Sequence, residues 1–386
     1  MGRNCVIHKE LVFLLILIIS GWNVQGQPLS TGQEIRYNPI STAVPFLTIA
    51  PDSRHGAMGN VGAATSPDAN SQYLNPSKYA FADGKYGFSV SYTPWLRKLV
   101  NDVNLAYLSG YYRIDDKQVI GSSLRYFSIG DVSYADINGS NSVTIRPNEF
   151  ALDFSYSKKL SDYFSGGVAL RFIRTALMEG YGEESFSAGN AFATDFSFFY
   201  NRTWESTGKK TFAAGIDFSN IGSKISYNQG QTKEFIPANM RLGATFTNEF
   251  DKDNSLSFSL DLNKLLVPTP SENNPSESSN KTVIGALFSS FSDAPGGLKE
   301  ELQEFTVSTG LEYLFNSKFA LRTGYFNESK NKGNRKFFTT GVGVKTNICS
   351  LDFSYLISTV RNSPLANTIR FTISFDEDSF KNRKKR

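Results

Sequence analysis

Phe150-Ala151-Leu152-Asp153-Phe154-Ser155-Tyr156-Ser157 alternates a large apolar side chain with a small or polar one at every step. A strand sends successive side chains to opposite faces, so a period of two describes a sheet whose faces meet different surroundings. The same alternation returns further along the chain. Phe212, Ala214, Ile216 and Phe218 alternate with Ala213, Gly215, Asp217 and Ser219, and Ile369, Phe371, Ile373 and Phe375 with Thr368, Arg370, Thr372 and Ser374. Followed from end to end, it predicts strands at 86–92, 102–112, 118–129, 148–157, 163–174, 191–201, 210–220, 237–248, 254–263, 304–314, 319–327, 335–346, 350–359 and 367–375. An even number of strands, here fourteen, brings the chain back to the side from which it started, as in single-chain bacterial outer-membrane barrels.

The connections left between these spans are 9, 5, 18, 5, 16, 8, 16, 5, 40, 4, 7, 3 and 7 residues long. Each odd connection is longer than the even one after it. Short turns on one side and long loops on the other are the habit of a transmembrane barrel, with the short turns periplasmic, which would place both chain ends in the periplasm. Within hydrocarbon every backbone polar group needs a partner, so the sheet must close. The Phe-rich face then points to lipid. Asp153, Arg171, Asp195, Asp217, Arg241, Asp261 and Glu312 fall on the other face, and a lysine or arginine charge on the lipid face at mid-membrane costs about 2–4 kcal/mol. These charges belong in the lumen. A soluble β-sandwich is the competing reading, made awkward by so long a run of unbroken β-pattern.

Composition agrees. The chain has 386 residues, 40% hydrophobic and 14% aromatic, with 32 Phe and 18 Tyr. A mean hydropathy of −0.28 cannot supply the repeated apolar runs of about 20 residues that a helical membrane protein needs. The aromatic content argues against disorder, and a formal charge of +4 is too mild to suggest nucleic acid. Leu11 to Ile19 is the one strongly apolar run; it follows Arg3 and Lys9 and precedes Val24-Gln25-Gly26. This reads as a secretory signal over 1–26, with a retained anchor as the alternative. Cys5 and His8 would leave with it, so Cys349 and His55 remain as the sole mature cysteine and histidine. No internal disulfide, metal cluster or nucleotide fingerprint is expected, and so no cofactor.

Residues 27–85 do not alternate. They hold Arg54-His55-Gly56-Ala57-Met58-Gly59-Asn60-Val61-Gly62-Ala63-Ala64 and Asn75-Pro76-Ser77-Lys78-Tyr79-Ala80-Phe81. Small residues at this density let backbone approach backbone, as an inserted plug requires; a floppy periplasmic tether is the other reading. This stretch resembles the N-terminal segment of the FadL-like outer-membrane barrels, which implies fourteen strands and a plug over 27–85, with Arg54, His55, Gly56, Met58, Gly59, Asn75 and Pro76 as its motif. More specifically, Asn38-Pro39-Ile40-Ser41-Thr42-Ala43-Val44-Pro45-Phe46-Leu47, Ile49-Ala50-Pro51-Asp52-Ser53-Arg54 and Phe288-Ser289-Ser290-Phe291-Ser292-Asp293-Ala294-Pro295-Gly296-Gly297 resemble the PorV family, also called LptO. That family belongs to the type IX secretion system of the Bacteroidetes outer membrane. The tail 376–386, rich in basic residues, departs from barrels that end on their last aromatic.

The 264–303 connection opens with a Ser/Asn/Pro/Glu-rich linker. Ile284, Leu287, Phe288 and Phe291 then fall at i, i+3, i+4 and i+7, one face of a helix. Pro295-Gly296-Gly297 breaks it, and Leu298 to Gln303 can form a further turn. The apolar face serves either as a lid packed on the rim or as a docking surface. Contact candidates in the outer loops are Met178, Tyr181, Phe186, Tyr227, Leu287, Phe288 and Phe291.

Three functions compete. Lipopolysaccharide deacylation would need a nucleophile, base and orienting acid; only His55, near Asp52 and Ser53, offers a base, and no catalytic residue is assigned. Passage of hydrophobic small molecules follows from fold analogy alone. The PorV resemblance implies a secretion adaptor. It would receive the C-terminal signal domain of exported cargo from a large Sov/SprA-like translocon barrel and deliver it to the surface attachment complex. There the sortase PorU joins cargo to lipopolysaccharide.

Overall fold

The computed structural model describes residues 37–135, 142–177, 187–206, 208–227, 233–270 and 280–377. The expected leader and most of the basic tail lie outside them.

Among the described residues sixteen strands follow in chain order. They begin with β1 (Tyr86–Pro94), β2 (Asn104–Arg113), β3 (Gln118–Ser128), β4 (Val132–Ala135), β5 (Ser142–Ile145) and β6 (Asn148–Lys159). Next come β7 (Phe164–Ala176), β8 (Gly189–Ser206), β9 (Gly208–Gly222), β10 (Asn239–Glu249) and β11 (Ser255–Leu265). The last are β12 (Thr306–Phe315), β13 (Phe319–Asn327), β14 (Lys336–Lys345), β15 (Ser350–Ser358) and β16 (Ile369–Asp376). β4 and β5 form a ribbon of their own; the other fourteen close into an antiparallel barrel, sealed by β1 against β16 from Gly87↔Asp376 to Tyr92↔Phe371. No helix among the described residues is long and apolar enough to cross a membrane.

The wall follows the period-two pattern. Phe88, Leu108, Phe154, Leu170, Phe196 and Leu321 are exposed on the outer face. Of the charges expected inside, Asp153, Arg171, Asp195, Asp217 and Asp261 are buried, and Arg241 and Glu312 largely so. The outer face is the greasy one that acyl chains require, and the inner face is polar because the plug meets it with hydrogen bonds.

Two elements depart from the sequence reading. β8 and β9 run past 201 and 210 as one hairpin, through Arg202↔Phe212, Thr203↔Thr211 and Glu205↔Lys209. Polarity suggested a loop there, but beyond the hydrocarbon band a strand needs only a backbone partner, and the Thr203 and Thr211 hydroxyls pair at 2.9 Å. The β4–β5 ribbon, four residues a side, is too short for alternation to show.

The N-terminal segment threads the lumen lengthwise. It starts at the end that carries the long connections, where the Asn38 N–H donates to Asn331 O and the Ala43 N–H to Phe235 O. It leaves at the short-turn end, where the Lys85 N–H donates to Glu377 at the close of the wall. The first described residue, Tyr37, therefore lies opposite the two ends of the barrel wall, because a plug that fills the lumen must enter from one mouth to reach β1 at the other.

Candidate functional site

Residues 37–50 form a strap across the long-loop mouth. A 3-10 turn, Pro45–Thr48, starts on Pro45, whose ring fixes φ near the helical value, and buries Phe46 and Leu47. Phe46 stacks on Phe127 with centroids 6.2 Å apart. Val44 and Phe46 share a core cluster with Leu105, Phe127, Ile173 and Ile225.

Below the strap lies the plug. A single helical turn, α1 (Ser53–Gly56), is capped by Asp52, whose carboxylate accepts the His55 N–H. Each residue of the expected plug motif has a definite post. Arg54 donates to Glu312 (3.0 and 2.8 Å) and to Asp68 (2.9 Å). Glu312 also accepts from Arg322, which reaches on to Asp352, so one chain of charges ties plug to wall. Gly56 lies against the Arg370 side chain, which a Cβ would strike at 2.8 Å. Met58 is buried. Gly59 has φ +67°, a left-handed conformation that favours glycine, and donates its N–H to the Thr339 hydroxyl at 2.8 Å. Asn75 caps the turn Pro76–Phe81 and donates to Ala63 O and Phe198 O; the Pro76 carbonyl accepts from Ser157.

The barrel wall is cut to receive this backbone. A Cβ on Gly324 would land on the main chain of Met58 and Gly59, one on Gly310 would lie 2.7 Å from Met58, and one on Gly215 would strike the Ala63 carbonyl. Asp261 meets the plug with acceptors instead, taking the Gly62 and Ala63 N–H groups at 2.7 and 3.0 Å.

His55 is enclosed. Its Nδ1 lies 3.0 Å from both Asp52 carboxylate oxygens and its Nε2 3.2 Å from the Thr65 hydroxyl. With Asp52 ionised, Nδ1 is the donor. The order carboxylate, imidazole, hydroxyl is that of a nucleophile relay, and Thr65, not the neighbouring Ser53, stands at its end; the Ser53 N–H and hydroxyl face Thr372. Yet Asp52, His55 and Thr65 are all buried, and the Lys78 ammonium occupies Thr65 Oγ1 at 2.9 Å. No substrate atom reaches that oxygen while the plug is seated. Burial draws the Lys78 ammonium down to about 8, against the pull of Asp68. Burial alone would raise the Asp68 carboxyl, but His55, Arg54 and Lys78 bring it down to about 2.

Between strap and plug lies a cavity of about 480 Å³, walled by polar groups that include Arg125, Arg241, Arg370 and Tyr73. The long connection between β11 and β12 carries two short helices, α2 (Val283–Ser289) and α3 (Leu298–Gln303). Thr282 caps α2 by accepting the Gly285 N–H at 3.1 Å. The four residues expected on one helical face part company: α2 ends before Phe291, Leu287 packs on the rim cluster of Met240, Leu266 and Val267, the Phe291 ring lies 5.7 Å from the buried Lys264 ammonium, and Ile284 and Phe288 point outward. α3 sits inside out. Glu301 and Glu304 accept from buried Lys264 (2.8 and 2.5 Å), and Glu300 from Lys332 (2.7 Å) and Asn38 (3.0 Å). Its leucines face solvent. Ile284, Phe288, Leu298 and Leu302 are 68%, 76%, 76% and 63% exposed.

Of the remaining contact candidates, Tyr227 is half-buried against the strap cluster, and Met178, Tyr181 and Phe186 lie outside the described residues. Leu298 and Leu302 were not singled out from sequence. Their i, i+4 spacing around Glu300 and Glu301 was readable, but the lysines that turn the acidic side inward, Lys264 and Lys332, are distant in the chain.

The sequence profile of the family described as "Type IX secretion system protein PorV" matches residues 32–272. A search of curated proteins finds no match. Among solved structures, the toluene transporter TodX of Pseudomonas putida is similar in fold, with a TM-score of 0.51 at 12% identity over 84% of this chain and 97% of that one. The Ralstonia pickettii toluene transporter TbuX gives 0.43 at 13% identity over 85% and 97%. A Pseudomonas aeruginosa FadL homologue gives 0.42 at 13% over 85% and 99%.

Proposed function

The chain belongs to the PorV family of type IX secretion proteins, and from that premise we propose that it is a plugged outer-membrane adaptor that holds exported cargo through its long-loop end. In this reading the short turns face the periplasm and the loop end faces the cell exterior. The large translocon barrel hands over the C-terminal signal domain of a cargo protein. The adaptor carries it to the attachment complex, where the sortase PorU acts beside lipopolysaccharide.

One observation carries the reading: the inside-out loop helices. An amphipathic helix ordinarily buries its apolar stripe. Here α3 turns its carboxylates to Lys264 and Lys332 and leaves Leu298 and Leu302 in water, as α2 leaves Ile284 and Phe288. Exposed apolar side chains on two loop helices, one of them fixed by buried ion pairs, mark an interaction surface. The plug supports an adaptor over a conduit, since Met58, Val61, Ala63 and Leu74 leave the lumen packed at its level. Catalysis has no part in this reading, the Thr65 hydroxyl being enclosed.

Affinity isolation of the barrel from the outer membrane, followed by identification of the bound chains, tests it. Cargo signal domains and a large barrel are expected. A solitary barrel that admits toluene-sized solutes into liposomes would favour transport, the activity of TodX, and remove the adaptor.

A further inference from the structure

The lumen cavity holds charge that its protein surroundings do not balance. Arg125 is 2% exposed and donates Nη1 to the strap carbonyls of Phe46 (3.2 Å) and Leu47 (2.8 Å). Its Nε has no protein acceptor. Arg370 is 1% exposed and donates Nε to the strap carbonyl of Ala50 at 3.1 Å, and its Nη1 likewise has no protein acceptor. Both line the cavity. Neither has a carboxylate within ion-pair distance among the described residues, whereas the other buried arginine there, Arg171, is held by Asp153 and Asp195. Arg241 adds a third guanidinium on the same side. It stacks over Tyr73 at 5.6 Å, with Arg125 over that ring at 4.5 Å, and reaches Asp261 only at 3.7 Å.

A buried cation without a counter-charge is strongly disfavoured, and guanidinium forks match oxyanions through parallel N–H donors. Ser308 Oγ, another buried polar atom of this cavity wall without a partner, can donate as well. Asn60 and Asn263 present side-chain oxygens without partners, and an amide can turn its NH2 end inward instead. The strap roofs the site and is itself pinned by the two arginines. Gly56 leaves room for Arg370.

We propose that this cavity is a binding site for one phosphate- or sulfate-type oxyanion, held by Arg125 and Arg370 beneath the N-terminal strap. The site stands independently of the cargo-adaptor reading, since it uses the closed lumen and not the loop patch.

Equilibrium dialysis of the full chain in an uncharged detergent, against radiolabelled inorganic phosphate with chloride at fixed ionic strength, tests it. Saturable binding of a single phosphate that sulfate displaces is expected. Arg125→Met and Arg370→Met should each weaken it by about tenfold or more, the loss for one charge-assisted donor. Arg146→Met, in an exposed loop pair with Asp131, should leave it unchanged. Because the lumen variants can fail to fold, the wild-type chain is also modified with phenylglyoxal and mapped by mass spectrometry; phosphate should protect Arg125 and Arg370. Dodecyl phosphate binding more tightly than inorganic phosphate would assign the anion to a lipid headgroup, and equal affinity would assign it to a free ion. An absence of saturable binding, or binding that survives both substitutions without protection of either arginine, would overturn the site.

Discussion

Replacing Ile284, Phe288, Leu298 and Leu302 together with serine should weaken cargo capture strongly without unfolding the barrel. Complete burial of such a side chain is worth about 1.5–3 kcal/mol. At 63% to 76% exposure, each has about 1–2 kcal/mol of that still to gain from a partner. The four together offer about 4–8 kcal/mol, from which about 0.5–1.5 kcal/mol per side chain is lost in ordering. A net of about 2 kcal/mol corresponds to a loss in affinity of roughly 30-fold. Surface substitutions of this kind usually change stability by no more than about 0.5 kcal/mol each, so heat-modifiable migration should persist. Leu287→Ser is the informative contrast. Leu287 is packed against Met240, Leu266 and Val267, so its loss should loosen the loop and lower the melting temperature. The assay is binding of a purified cargo signal domain to detergent-solubilised barrel by calorimetry. Wild-type affinity in the fourfold variant would refute the reasoning, and the loop would then be only a lid.

Gly324→Ala places a methyl on the main chain of Met58 and Gly59. Overpacking costs about 1–3 kcal/mol even where side chains can yield, so the plug should be displaced and planar bilayers should show ion conductance; a silent channel of unchanged stability would mean that the seating is loose. Tyr37, 65% exposed at the long-loop end, tests orientation: on intact cells a membrane-impermeant maleimide should label Tyr37→Cys, and Cys349, in the short turn before β15, only after permeabilisation. The reverse pattern would invert the barrel. The depressed Asp68 carboxyl, at about 2 against an ordinary 3.8, contributes stability that is complete above pH 3.8 and lost as pH falls through 2. Protease susceptibility of the plug should therefore rise across that acid window in the wild type, and Asp68→Asn should be susceptible already at neutral pH with a flatter profile. An identical acid profile in the variant would remove Asp68 from the plug's anchorage.

The wall was legible in the sequence because each of its rules is local. Alternation at Phe150–Ser157 or Ile369–Phe375 depends on neighbours two residues apart, and it gave strand number, inner and outer faces, and the lumenal place of Asp153, Asp217 and Asp261. The polar hairpin through Thr203 and Thr211 escaped because a strand in water carries no apolar mark. Small residues announced a plug; they did not show that Gly324, Gly310 and Gly215 on the wall are the complementary sockets, since glycines far apart in sequence look alike until two backbones meet.

Family membership, the strand count of the barrel and the existence of a helical long loop were thus legible in the order of residues alone. Tertiary structure decided the rest. It put Tyr37 at the mouth opposite the closing strands, set Thr65 rather than Ser53 beside His55, divided Leu287 from Phe288, and left Arg125 and Arg370 unpaired under one strap. Each of these depends on which distant side chain supplies the opposing charge, acceptor or surface, and period-two patterning carries no information about such partners.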